Sequence, residues 1–171
     1  MTGPPHAEGE TPGVPGKVRF PTRAFVLACV LVSIWINASE IFRYFVFVMP
    51  MTRATLPMVP DVAPMSVPVF LVWGLWDTLL VVMNVLLTWL YARAFGASLR
   101  SAVVAGTLGW LFFFVLFWVA MLNMNLAAPA TAAIALPLAW VELVVGSLLA
   151  LRFLPAPAEL TTDIHLPARA R

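Results

Sequence analysis

Four ionisable side chains stand where the surrounding sequence is otherwise fit for hydrocarbon. They are Glu40 and Arg43 in "WINASEIFRYFVFVM" (35–49), Asp77 in "VWGLWDTLL" (72–80) and Glu142 in "LAWVELVV" (138–145). A charge at the centre of a membrane helix costs about 2.5–3.5 kcal/mol on insertion scales, so such residues point to an ion, proton or substrate site. Glu40 and Arg43 are three residues apart, which on a helix lets them pair and offset each other's cost. Asp77 and Glu142 have no second cation among the apolar segments. Three acids and one base in one apolar layer cannot all be comfortably ionised.

The neutral polar residues follow the same geometry. At 100° per residue Ser33, Asn37, Glu40 and Tyr44 share an arc of roughly 60°, with Arg43 at its edge. Trp73, Asp77, Asn84, Thr88 and Tyr91 form a second stripe. Counted from the outer ends of their segments, Glu40, Asp77 and Glu142 lie about 14–20 Å deep. Asn37, Glu40, Arg43, Tyr44, Trp73, Asp77, Asn84 and Glu142 are therefore the candidate substrate or proton site. Trp73, Trp76 and Trp140 flank the acids in sequence; they read best as packing between helices, with an apolar ligand wall as the alternative. Of the remaining four tryptophans, Trp89, Trp35 and Trp118 suit interfacial or lipid-facing positions.

Other chemistries find little support. Cys29 is the single cysteine, so there is no intramolecular disulfide and no cysteine metal motif. His6 and His165 fall outside the apolar segments, which leaves no histidine pair for haem within them. No nucleophile elbow, phosphate loop or zinc motif is present. "NAS" at Asn37 matches a glycosylation sequon but lies inside a span. Met49, Met51, Met58, Met65, Met121 and Met124 gather towards one end of the segments, where thioethers could take Cu(I). They have no histidine or cysteine beside them and read better as adaptable apolar filler. No metal and no cofactor is expected, and no catalytic residue is assigned.

These residues need a scaffold, and the composition names its class. Of 171 residues 62% are hydrophobic and only 11% charged, against about a quarter charged in soluble proteins. The mean hydropathy of +0.95 agrees. A net charge of +2 leaves no electrostatic footprint for nucleic acid. The excess of arginine over lysine hints at a GC-rich bacterial genome. Residues 1–22 read as a disordered cytoplasmic tail and 154–171 as a polar cytoplasmic tail, around a transmembrane domain at 23–153. The spans are expected at about 24–49, 67–95, 101–126 and 131–153, each long enough for about 30 Å of hydrocarbon. The first, preceded by basic residues but lacking a small-x-small cleavage site, reads as an uncleaved span. The connection from Pro50 to Ser66 is the only sizeable one; those around Gly96–Arg100 and Ala127–Ala130 are tight.

Basic residues set the orientation. Lys17, Arg19 and Arg23, then Arg93 and Arg100, then Arg152, Arg169 and Arg171 fall on one side, against Arg53 alone on the other. The reading is an all-α integral membrane protein, four transmembrane helices in an up-down-up-down antiparallel bundle with both termini cytoplasmic. Ala102-x-x-x-Gly106 and Ala105-x-x-x-Gly109 offer a close-packing face on the third span.

Function follows as a class. The leading reading is a small polytopic protein of the bacterial inner membrane that binds or translocates a small solute or proton at the buried layer. Four helices alone enclose little space, so a homodimer or a larger membrane complex is the expected partner besides lipid. One alternative is a membrane-embedded acid/base enzyme acting on a lipid or isoprenoid, which needs Asp77 and Glu142 to differ in acidity. The other is an accessory or assembly subunit whose polar layer serves helix register.

Overall fold

A computed structural model of the chain describes residues 20–154. Most of both expected tails, with His6, His165 and four of the tail basic residues, lies outside the described residues. Within them every regular element is helical. Four helices are long and apolar enough to cross a membrane: α1 (Thr22–Thr55), α2 (Val67–Phe95), α3 (Leu99–Asn123) and α4 (Pro129–Phe153). The shortest have 25 residues, about 37 Å at 1.5 Å per residue, which exceeds the hydrocarbon core. In lipid a helix satisfies every backbone group within one segment, which is why such runs fold this way.

The helix ends follow local chemistry. Ser98 caps α3, its hydroxyl accepting from the Ser101 N–H at 3.1 Å, so this helix starts two residues before the expected 101. Gly96, at φ 89°, breaks α2 just ahead of it. Asn125, at φ 57°, ends α3 in a Schellman turn. There Leu126 N–H donates to Met121 O and Asn125 N–H to Leu122 O, which stops the helix short of the expected 126. Pro129 occupies the first turn of α4, where its missing donor costs nothing.

The first helix departs most from expectation. It begins at Thr22, and Phe20 just before it packs edge-to-face against Trp89 at 4.8 Å, so the end of the expected tail is anchored. At the other end it runs through Pro50 to Thr55 instead of stopping at Met49. The cause is a π-helical turn at Tyr44–Val48, where Met49 N–H reaches back five residues to Tyr44 O. A widened turn immediately ahead of a proline absorbs the missing donor and the ring's clash with the preceding turn. A second π-helical turn interrupts α3 at Leu111–Val115, with Leu116 N–H bonded to Leu111 O.

Packing is tightest on α4, the most buried of the four helices. Ala102, Ala105, Gly106 and Gly109 are all buried, so the expected small-residue face of the third span is its contact with α4. A Cβ at Gly106 would stand 2.7 Å from the Val144 Cα, so backbone meets backbone there. Around this contact Trp110 donates to Leu136 O at 2.8 Å and Trp140 to Thr107 Oγ1 at 3.0 Å. Past its π-helical turn α3 approaches the other helices only sparsely. The bundle is closed at one end and splayed at the other.

Candidate functional site

The splayed half contains a cavity of about 240 Å³. It is lined by Glu40, Arg43, Tyr44 and Val48 from α1, Trp73 and Trp76 from α2, and Phe114, Phe117 and Trp118 from α3. All nine come from the C-terminal parts of α1 and α3 and the N-terminal part of α2. Both π-helical turns contribute: Tyr44 and Val48 bound the first, and Phe114 lies in the second. An inserted residue rotates everything after it, which brings Val48, Phe117 and Trp118 round to the cavity. Such turns recur at functional sites for this reason.

Charge is concentrated in its wall. Arg43 and Glu40 form a salt bridge along α1, both side chains almost wholly buried. The Arg43 Nε also lies 3.6 Å from Glu142 Oε2, so this guanidinium stands between carboxylates of two helices. It is further placed over the Phe114 ring, 4.7 Å from the centroid. That contact adds cation–π attraction to an ion pair held out of water. Glu142 is fully buried, and neither of its carboxyl oxygens has a hydrogen-bond partner among the described residues. Its backbone carbonyl accepts from the Trp35 indole at 2.9 Å, which fixes α4 against α1 at this level.

Asp77 sits elsewhere. It lines a smaller cleft of about 80 Å³ between α1 and α2, with Asn37, Ile41, Phe70, Trp73 and Gly74. Trp73 is common to both spaces. Asp77 is buried, and its Oδ1 has no hydrogen-bond partner among the described residues. Asn37 spends its amide on the Ser33 carbonyl of its own helix, at 2.8 Å. Tyr44 stacks against Trp73 at 4.9 Å.

The eight residues singled out from sequence thus divide. Glu40, Arg43, Tyr44 and Trp73 line the larger cavity, and Glu142 backs onto it through Arg43. Asn37 and Asp77 share the smaller cleft with Trp73. Asn84 belongs to helix packing, accepting from Ser147 Oγ at 3.1 Å and reaching Leu143 O at 3.5 Å. Thr88 on the same stripe donates to the Asn84 carbonyl at 2.8 Å.

One tryptophan expectation is corrected, and for another the packing reading holds over the wall. Trp118 is 5% exposed and walls the cavity, where a lipid-facing place was expected. Trp140 is 37% exposed and turned to Thr107, so it does not wall the acids. Val48, Phe114 and Phe117 carried no sequence signal of their own. The run "FFFVLFW" (112–118) is aromatic on every face, and only the π-helical turn decides which rings point inward.

Chemically the arrangement offers aromatic faces, one shared guanidinium and carboxyls in excess. Comparison with known proteins finds no family model, no curated protein and no solved structure that matches this chain. The class stands on the helices themselves, a multi-pass membrane protein by their length and composition.

Proposed function

We propose that this is a bacterial inner-membrane protein that binds a small amphipathic solute in its splayed half and carries it, or a proton, across the bilayer. Neighbouring helices run up-down-up-down in this reading. Its support is the pairing of Tyr44 with Trp73 and Phe20 with Trp89, of Trp76 with Phe117 and Leu87 with Gly109, and of Trp110 with Leu136 and Thr107 with Trp140. In each pair of helices an advance along one is a retreat along the other. Both termini are cytoplasmic, on the eight-to-one bias of Arg and Lys. The cavity then faces the outer leaflet.

The observation that carries the proposal is the cavity wall: six aromatic rings around a buried salt bridge. A ligand pocket is typically an apolar concavity with a few convergent polar groups, and this space has that composition. A purely structural polar core would be filled by side chains.

The test is intrinsic tryptophan fluorescence of the purified protein in nanodiscs, titrated with a panel of small amines, alcohols and carboxylates. At least one compound should bind saturably, and Trp73→Ala should abolish its binding. Trp140→Phe, which alters a ring outside the cavity, should leave binding unchanged. Failure of the whole panel, or equal loss in both variants, would refute the assignment.

A further inference from the structure

Resting on that cavity site, the geometry points to the solute class: a small organic cation, quaternary ammonium in type, held at Glu40 and exchanged for a proton of Glu142. Three observations lead there. The first is the wall, where Tyr44, Trp73, Trp76, Phe114, Phe117 and Trp118 present ring systems to one space. Ring faces carry negative charge density, attract cations, and are the recurring cage for quaternary ammonium groups.

The second is the inventory of charge. Glu40, Arg43 and Tyr44 of α1 line the cavity itself, Glu142 of α4 stands behind Arg43, and Asp77 of α2 opens on the adjoining cleft across Trp73; the next cation, Arg53, is exposed farther along α1. The only ionisable side chain of α3 is Arg100, at its opposite end. Three carboxyls against one guanidinium leave room for added positive charge and oppose an anion.

The third is the position of Arg43. It is bonded to Glu40 and stands 3.6 Å from an oxygen of Glu142 that has no hydrogen-bond partner among the described residues. A movement of about 1 Å turns that separation into a charge-assisted hydrogen bond.

The exchange balances. In the empty site Glu40 is ionised and paired with Arg43, and Glu142 holds its proton, so the group is neutral. An arriving cation takes Glu40 as its counter-ion. Arg43 shifts to Glu142, the Glu142 O–H bond breaks, and the proton leaves through the cavity. The group with its ligand is neutral again. Glu142 needs to be ionised only when Arg43 is free to meet it.

The test uses three soluble molecules of one shape and different charge: choline, 3,3-dimethylbutan-1-ol and 3,3-dimethylbutanoate. Each is titrated calorimetrically into the full chain in nanodiscs, in two buffers of different ionisation enthalpy. Choline should bind at least about tenfold more tightly than the alcohol, and the carboxylate more weakly than either. About one proton should be released per choline bound, as linkage requires. Glu142→Gln should bind choline more weakly and release none.

Equal affinity for choline and the alcohol, or preference for the carboxylate, overturns the cation assignment and leaves the cavity site standing. Choline binding without proton release overturns the exchange. Absence of binding by all three, together with failure of the broader panel, removes the cavity site too. Should Glu142→Gln not fold, the three-way comparison and proton count on the unaltered chain still decide.

Discussion

Replacing Arg43 by Ala is the sharpest probe of the buried layer. The side chain is 6% exposed, bridges to a Glu40 side chain that is 7% exposed, and stands over Phe114. Its removal leaves Glu40 without a cation in an apolar wall. Breaking a buried pair from one side costs about 3–5 kcal/mol. The chain can limit that cost by protonating the carboxyl. For a group of ordinary acidity, neutralisation costs about 3.7 kcal/mol at pH 7 and only about 1 kcal/mol at pH 5. The lost cation–π contact adds about 0.5–1 kcal/mol at either pH. The expected loss is therefore about 4–5 kcal/mol at pH 7, falling to about 1.5–2 kcal/mol at pH 5. The sign follows from the missing cation: acid neutralises the orphaned carboxyl and restores stability. Equilibrium unfolding by SDS in mixed micelles, followed by circular dichroism at both pH values, measures it. Arg53→Ala is the control, since that side chain is exposed and among the described residues donates only to the Ala63 carbonyl, at 3.0 Å. Its loss should be about 1 kcal/mol or less and independent of pH. Equal losses for the two variants, or an Arg43 loss indifferent to pH, would sink the argument.

Gly106→Ala should destabilise by about 1–3 kcal/mol, because the new methyl meets the Val144 backbone at 2.7 Å. Gly74→Ala, with nothing within 4 Å, should be neutral or slightly stabilising, as alanine's helix propensity exceeds glycine's by about 1 kcal/mol. The same unfolding assay separates them, and a reversed order would place the α3–α4 contact elsewhere. Asn84→Ala should cost about 0.6–1.7 kcal/mol, the range for hydrogen bonds between membrane helices. Ser147→Ala should then add little in the double variant, because the two share one bond. Full additivity would show that the bond contributes nothing. A fluorescent protein fused after Arg171 should be bright and an alkaline phosphatase fusion inactive, as cytoplasmic termini require; the opposite pattern would invert the outer assignment of the cavity.

What the sequence determined by itself is what depends on composition and local geometry. Hydropathy over 25 or more residues marks a span regardless of its neighbours, and α2 falls at the expected 67–95. A spacing of three residues was enough to read the Glu40–Arg43 bridge, since both partners ride on one helix. The small residues of α3 likewise announced a close contact, although not that α4 supplies it. The tertiary structure decided everything that needs two helices at once. It set Arg43 between Glu40 and Glu142, put Asp77 in a separate cleft with Asn37, and committed Asn84 to Ser147. The cavity itself was least legible. Its outline depends on π-helical turns at Tyr44–Val48 and Leu111–Val115, each shifting the phase of every later residue. A wheel drawn at 100° per residue assumes one unbroken phase. In a span where nearly every residue is apolar, no polar face remains to reveal that the phase has changed.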